Sequence, residues 1–289
     1  MEPKSRILTL FYKFLIDQPH ADIDNEDERI KLLVVDGNIF CIPDEEGYGS
    51  SLCFMEIFAR IFYRLVEVAV SCIALVVSLP IMLIVALIIK LDSPGPVLFF
   101  QRRLSRSKLV LGKELMKDDR YVIVDPNFSP ENKYWVPKVF WFVKFRTMFA
   151  DAKERFPLLY DYNFTDEQIE HIRFKVEDDP RITKAGRWLR RSTLDELPNF
   201  WNVLTGDMRL VGPRPEIPEM LVNYRPEQMI KFTVKPGITG LPQINGRGRL
   251  SFQKTVTYDL EYVNNKSVLL DLKILLLTVW RIITSHGAF

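Results

Sequence analysis

DDPRITKAGRWLRRSTLDELPNFWNVLTGDMRLVGPRPE, residues 178–216, holds the densest chemistry in the chain. Lys184 to Arg191 reads as a basic helix, and Ser192-Thr193 ahead of Asp195-Glu196 has the polar character of a second helix beginning. Pro198 agrees, because its missing N–H is tolerated in a first turn. Asp195 and Glu196 are therefore expected at a helix N-terminus. Two acids there can simply complement the helix dipole. Here Arg181, Arg187, Arg190 and Arg191 precede the pair and Arg209 and Arg214 follow it, a guanidinium density suited to phosphate and excessive for charge balance. Neighbouring helical residues point in different directions, so the carboxylates are expected to take separate roles rather than share one proton. A nucleophile or metal ligand and its helper would fit.

Three loops downstream suit close approach of backbone to a ligand. Gly212-Pro213-Arg214-Pro215 fixes two φ angles around one arginine, and 235–240 (KPGITG) and 245–248 (NGRG) add glycines that allow tight turns. Upstream, 143–153 (VKFRTMFADAK) brings Lys144 and Arg146 close together, which read alone is more often a solvated face. Residues 97–101 suggest a short strand or turn, and 104–141 mixes helix-like and strand-like pieces without a clear period.

Val68 to Ile89 runs 22 residues without a charge, about 33 Å as a helix and enough to span a hydrocarbon core. Pro80 removes a helical hydrogen bond and collides with the carbonyl of Val76, so a break is expected there, with Ser78 bonding a carbonyl one turn back. Arg60 and Arg64 precede the segment, and Lys90, Arg102, Arg103, Arg106 and Lys108 follow it. A span would place one basic group on the outer face, against the positive-inside bias. A re-entrant hairpin would keep both on the cytoplasmic side, able to meet anionic head groups. On these grounds a span and a hairpin both stay open. The stretch from Val268 to Ile283 is apolar but interrupted by Asp271, Lys273 and Arg281 and too short between charges to span, as in a helix lying against the membrane or the core.

Residues 1–50 are expected to form a soluble appendage with a β-hairpin around Asp36-Gly37. Ile7 to Ile16 is short, carries Lys13 and leads into the acidic run Asp22 to Glu28, unlike a secretory signal. Across all 289 residues, 39 Lys+Arg oppose 37 Asp+Glu, and this near-neutral balance argues against nucleic acid as partner. Cys41, Cys53 and Cys72 lack paired spacing, which excludes a disulfide framework or zinc site and suits a reducing compartment. His20, His171 and His286 are scattered and receive no chemistry.

Taken in order, the membrane segment ending in IIKLDSPGPV, then KFRTM, the 178–216 stretch, KPGITGLPQINGR and DLKILLLTVWRII make the chain resemble the monotopic phosphoglycosyl transferases. These are also called bacterial sugar transferases, or polyprenyl-phosphate sugar-phosphate transferases. The resemblance covers Ile57 to Ile283. It implies an α+β, mostly helical fold: a re-entrant helix-break-helix over 51–91, broken at Ser78 and Pro80, and a cytoplasmic catalytic domain over 92–289 at the inner membrane. An insertion is expected near 104–141, and the C-terminal helix is interfacial.

The activity implied is transfer of a sugar 1-phosphate from a nucleotide sugar, by analogy a UDP-sugar, to polyprenyl phosphate, as the first step of glycoconjugate assembly. Asp195 matches the family nucleophile and the position that holds Mg²⁺, and Glu196 its partner. Arg190, Arg214 and Arg247 match arginines around nucleotide and phosphate, while Lys144, with Arg146, falls in the KF[RK]TM stretch. The family commonly has Ser directly before the breaking proline, whereas Leu79 stands there in this chain. Homo-oligomerisation is left open. A catalytically silent membrane adaptor is the competing class, and the intact Asp195-Glu196 pair weighs against it.

Overall fold

The computed structural model describes residues 30–32, 54–117, 121–123, 128–162, 164–173 and 178–284. The expected hairpin around Asp36-Gly37 lies outside them. Within 1–50 the described part is β1 (Ile30–Leu32), which pairs parallel with β3 (Tyr121–Ile123).

The uncharged run folds as α1 (Phe54–Asp92), the one described helix long and apolar enough to cross a membrane. Glu67, Ser71, Ser78, Val85 and Ile89 are buried. Their steps of four and seven residues fall on one helical stripe. The stripe docks on the rest of the molecule at both ends: Arg64 and Glu67 bond it near Val203 and Leu210, while Val85 and Ile89 join a cluster with Val143, Phe145 and Leu189. The other faces expose aliphatic side chains such as Val76 (72%) and Val77 (70%).

The break expected at Pro80 is corrected: α1 is one continuous helix with Pro80 inside it. A proline removes only one N–H donor, and the Ser78 hydroxyl donates to the Leu75 carbonyl at 3.4 Å, as expected for a small polar residue there. The helix ends at Asp92, and the turn after it is held by Arg146.

After that turn, β2 (Leu98–Leu111) and β4 (Lys133–Phe145) form a long antiparallel hairpin, in register from Leu98 opposite Phe145 to Leu111 opposite Lys133. The two ends of the period-free stretch 104–141 are strands of this hairpin. An irregularity between Leu104 and Ser107 shifts the two-residue alternation, and buried residues occur on both faces of β4, so no single period survives in the sequence.

The far half of the hairpin packs Leu104, Tyr134 and Val136 against Met220, Phe232 and Phe252. The near half packs Phe140 and Phe142 against Val203, Leu210, Tyr262 and Ile274. Around it stand α2 (Asp166–His171), α3 (Lys184–Ser192), α4 (Asn199–Thr205), the parallel pair β5 (Arg209–Val211) and β6 (Gly237–Thr239), then α5 (Leu241–Asn245), α6 (Phe252–Asn265) and α7 (Val268–Ile283). The fold is mostly helical α+β.

Helix α7 has the bounds read from the sequence, and one of its faces packs on the core. Asp271 and Ile274 face inward, Asp271 accepting from the hydroxyls of Tyr63 and Tyr262 at 2.7 Å each. Leu269 (77%), Leu276 (64%) and Trp280 (63%) face outward. Since Tyr63 belongs to α1, the two helices are joined, and together they present an apolar outer surface far larger than scattered surface residues give.

Candidate active site

The site grows from the end of β4. Opposite residues of an antiparallel pair share a face, so Lys144 stands with Phe99, and alternation adds Gln101 and Arg103 from β2 and Phe142 from β4. The Lys144 ammonium lies 5.5 Å from the centre of the Phe99 ring. Beyond Lys144, the backbone of Thr147 receives α3. The Thr147 carbonyl accepts from Thr183 N–H at 3.1 Å, and a Cβ added at Gly186 would lie only 1.9 Å from that oxygen, so only glycine lets the helix approach this closely. The Thr147 hydroxyl accepts from Arg190 Nε at 3.0 Å, which aims the guanidinium.

Thr193 ends α3 in the left-handed conformation, φ 63°. The chain then enters a 3-10 turn, Leu194–Glu196, before α4 starts after Pro198. The acid pair thus sits in the turn leading into the helix, one step earlier than expected. Asp195 is buried and Glu196 partly so.

Electrostatics join these groups. Burial pushes Lys144 down to about 8; Asp195 opposes this, Arg190 and Arg103 add to it, and Glu196 pulls back. Burial also lowers Arg190, against the pull of Asp195 and Asp179. Lys144, Arg103, Glu196, Asn199, Arg214 and Gln243 line one small pocket. An acid pair facing several partly desolvated cations is suited to binding a dianionic or diphosphate group and stabilising charge that builds on phosphorus oxygens.

Arg214 is exposed on its loop, and the loop is fixed from several sides. Gly212 N–H donates to the Thr239 carbonyl and Gly237 N–H to the Pro213 carbonyl, both at 2.9 Å; Arg214 N–H donates to Asp259 Oδ1 at 3.0 Å. Behind it Lys231 is buried, its Nζ 2.7 Å from the Tyr224 hydroxyl, 3.1 Å from Asp259 and 3.5 Å from Glu216. Arg247 lies in a 3-10 turn, Arg247–Arg249, just after α5; its side chain is outside the described residues.

The structure does not bring Arg146 to the group. It is buried and donates to the carbonyls of Ser93, Pro94 and Pro96 and to the Ser93 hydroxyl, at 2.6–2.9 Å, closing the turn after α1. Arg181 is likewise held by Asp179, and Arg209 lies against Glu67, Asp271 and the Tyr63 ring. Arg187 and Arg191 are exposed on α3.

Arg103, read in the sequence only as part of a basic flank, belongs to the site. It donates to the Pro215 carbonyl at 3.0 Å and Gln101 Oε1 at 2.8 Å, and burial brings it down to about 10 against the pull of Glu216. The alternation Phe99, Gln101, Arg103 set against Lys144 and Phe142 was the signal that would have found it.

Among the described residues there is no cluster of three or more acids, histidines or cysteines able to hold a metal. Asp195 and Glu196 form a two-carboxylate set, which is what Mg²⁺ uses when substrate phosphates and water supply its other ligands.

Fold and site together describe a domain with an outward apolar helical surface and a small pocket lined by Lys144, Arg103, Arg214 and Glu196. A family model described as bacterial sugar transferase matches residues 58–112 and 131–285, and the chain belongs to that family. The interruption falls at the far turn of the β2–β4 hairpin, within 104–141. The chain is 36% identical over 237 residues to the undecaprenyl-phosphate glucose phosphotransferase of Komagataeibacter xylinus, covering 78% of this chain and 36% of that one. It is 34% identical over 238 residues to the UDP-glucose:undecaprenyl-phosphate glucose-1-phosphate transferase of Escherichia coli K12, covering 80% and 42%. With the galactosyl transferase CpsE of Streptococcus agalactiae it shares 43% over 152 residues, 52% of this chain and 33% of that one. The chain therefore spans less than half the length of these three relatives.

Proposed function

We propose that the chain transfers a sugar 1-phosphate from a nucleotide sugar to a polyprenyl phosphate at the cytoplasmic face of the inner membrane, beginning a glycoconjugate. The placing of Lys144 and Arg190 against the buried Asp195, with Arg103 lining the same pocket as Lys144 and Glu196, carries this reading, and the names of the relatives support undecaprenyl phosphate as acceptor and a UDP-sugar as donor.

In the first half-reaction a carboxylate oxygen of Asp195 attacks the phosphorus bearing the sugar. The Asp195 O–P bond forms, the bridging P–O bond breaks, and nucleoside monophosphate leaves with the electron pair. Lys144, Arg190 and Arg103 neutralise charge on the non-bridging oxygens, and Arg214 orients the donor from its fixed loop. In the second, an oxygen of the lipid phosphate attacks the same phosphorus and Asp195 is released. Asp195, aided by Glu196, is the residue that would hold Mg²⁺, which when bound supplies charge neutralisation on the donor diphosphate.

A monotopic seating is part of the proposal. Glu67 and Val85 dock on the same domain, and the helix rises about 27 Å from one to the other, short of a hydrocarbon core of about 30 Å. Crossing would carry one of these docked ends away from the domain.

Donor mixed with enzyme but no acceptor should release nucleoside monophosphate in one stoichiometric burst and leave a sugar phosphate on the peptide containing Asp195, read by mass spectrometry. Asp195→Asn should lose both. A fully active enzyme with neither burst nor adduct would overturn the covalent route and give Asp195 another task.

A further inference from the structure

A second concavity, of about 630 Å³, lies between the 245–250 connection and α7, away from the acid pair. Such a volume suits a small ligand. Among the described residues its walls are Leu250, Leu277 and Trp280, its charged groups are Arg249 and Arg281, and no carboxylate lines it. Neither arginine is ion-paired with another described residue. Gly246 shapes the wall: a Cβ there would come within 2.6 Å of Leu250 Cδ2, so glycine lets Leu250 fold back over the loop. The concavity opens on the outward apolar face of α7, beside the exposed Trp280. It begins at Asn245, the last residue of α5, and Gln243 of the same helix lines the catalytic pocket; the five residues of α5 rise about 7 Å.

We propose that this groove binds the acceptor, a prenyl phosphate monoester, with the phosphate between Arg249 and Arg281 and the first isoprene units along Leu277 and Trp280. Charge selects this occupant. A phosphate monoester carries close to two negative charges near neutral pH, matching two guanidinium groups, whereas a phospholipid diester carries one. Apolar walls continuous with the outer surface of α7 take the chain without exposing it to water, and Asn245 at the edge of the groove follows Gln243 of the catalytic pocket by two residues on α5. The inference rests on the sugar-phosphate transfer reading for the purpose of the bound lipid.

The test uses the whole chain in detergent micelles with a diazirine-bearing prenyl phosphate. Label is expected on peptides covering 245–250 and 277–281, displaced by unlabelled prenyl phosphate and not by an equal concentration of phosphatidylglycerol. The double variant Arg249→Gln, Arg281→Gln should lose the label and raise the acceptor KM by roughly ten-fold or more, as expected when charge-assisted bonds to phosphate are removed. Leu277→Asn, which keeps both arginines, should also weaken labelling. Label elsewhere, equal displacement by phosphatidylglycerol, or an unchanged acceptor KM in the double variant overturns the proposal. Labelling requires no turnover, so specific labelling of a protein that transfers nothing when donor and acceptor are both supplied would leave the groove standing and sink the transferase reading instead.

Discussion

Burial strips Lys144 of water more than Asp195 restores in attraction, so its ammonium gives up a proton near pH 8 rather than above 10. Donor phosphate is met by a cation below that pH and by a neutral amine above it. The donor KM is therefore expected to rise as pH passes through about 8, and in Lys144→Arg that limb should move to higher pH, measured by initial rates across pH 7–10. Stability has its own sign. The folded state holds the proton less tightly than the unfolded one, so between the two values stability climbs with pH, and at neutral pH the buried charge is a net cost. Lys144→Met should raise Tm at pH 7 while donor turnover collapses, a trade expected where a site holds a strained charge.

Arg146, two residues on, behaves oppositely. Its guanidinium bonds three backbone carbonyls, so Arg146→Met should cost about 2–4 kcal/mol in urea unfolding by orphaning them. The density of arginines is visible in the sequence and says phosphate; which of them meet backbone carbonyls instead is decided by the turn after α1, a tertiary fact that spacing does not carry.

Among the elements, α3 converts a close approach into the aim of Arg190. In an isolated helix Gly186→Ala would be favourable by about 1 kcal/mol. Here the added methyl meets the Thr147 carbonyl, and the variant is expected instead to lower Tm by several degrees and to weaken donor binding as Arg190 is displaced. An unchanged Tm would mean that α3 can shift without cost. The bounds of α7 were legible because its apolar run is long and framed by Ser267 and the last turn. That its acid faces inward was not, since Tyr63, one of the two hydroxyls that meet Asp271, lies far away in the sequence, and Tyr262, the other, is on the preceding helix. The hairpin was hidden by its bulge, and Arg103 with it.

The whole molecule is organised around an apolar surface to which polar anchors turn their backs. Truncation before Asp271 removes the partner of both tyrosines and uncovers the cluster around Ile274, so loss of cooperative unfolding is expected rather than a soluble domain merely freed from lipid. For the seating, cysteines placed near residues 60 and 105 should both be protected from an impermeant reagent added outside intact cells. Outside labelling of one alone would make α1 a span.

Arg64 on α1 clasps the last carbonyls of α4, those of Val203 and Leu204, at 2.7 and 2.9 Å, and the other end of α4, about 10 Å away, adjoins the acid pair. On the proposed seating, α1 and the acid pair share a rigid strut, which would make the bilayer a mechanical part of the enzyme as well as the reservoir of the proposed acceptor. A harsh detergent that loosens α1 should slow the donor burst, the half of the reaction in which no lipid takes part, and return to a bilayer should restore it before any acceptor is supplied.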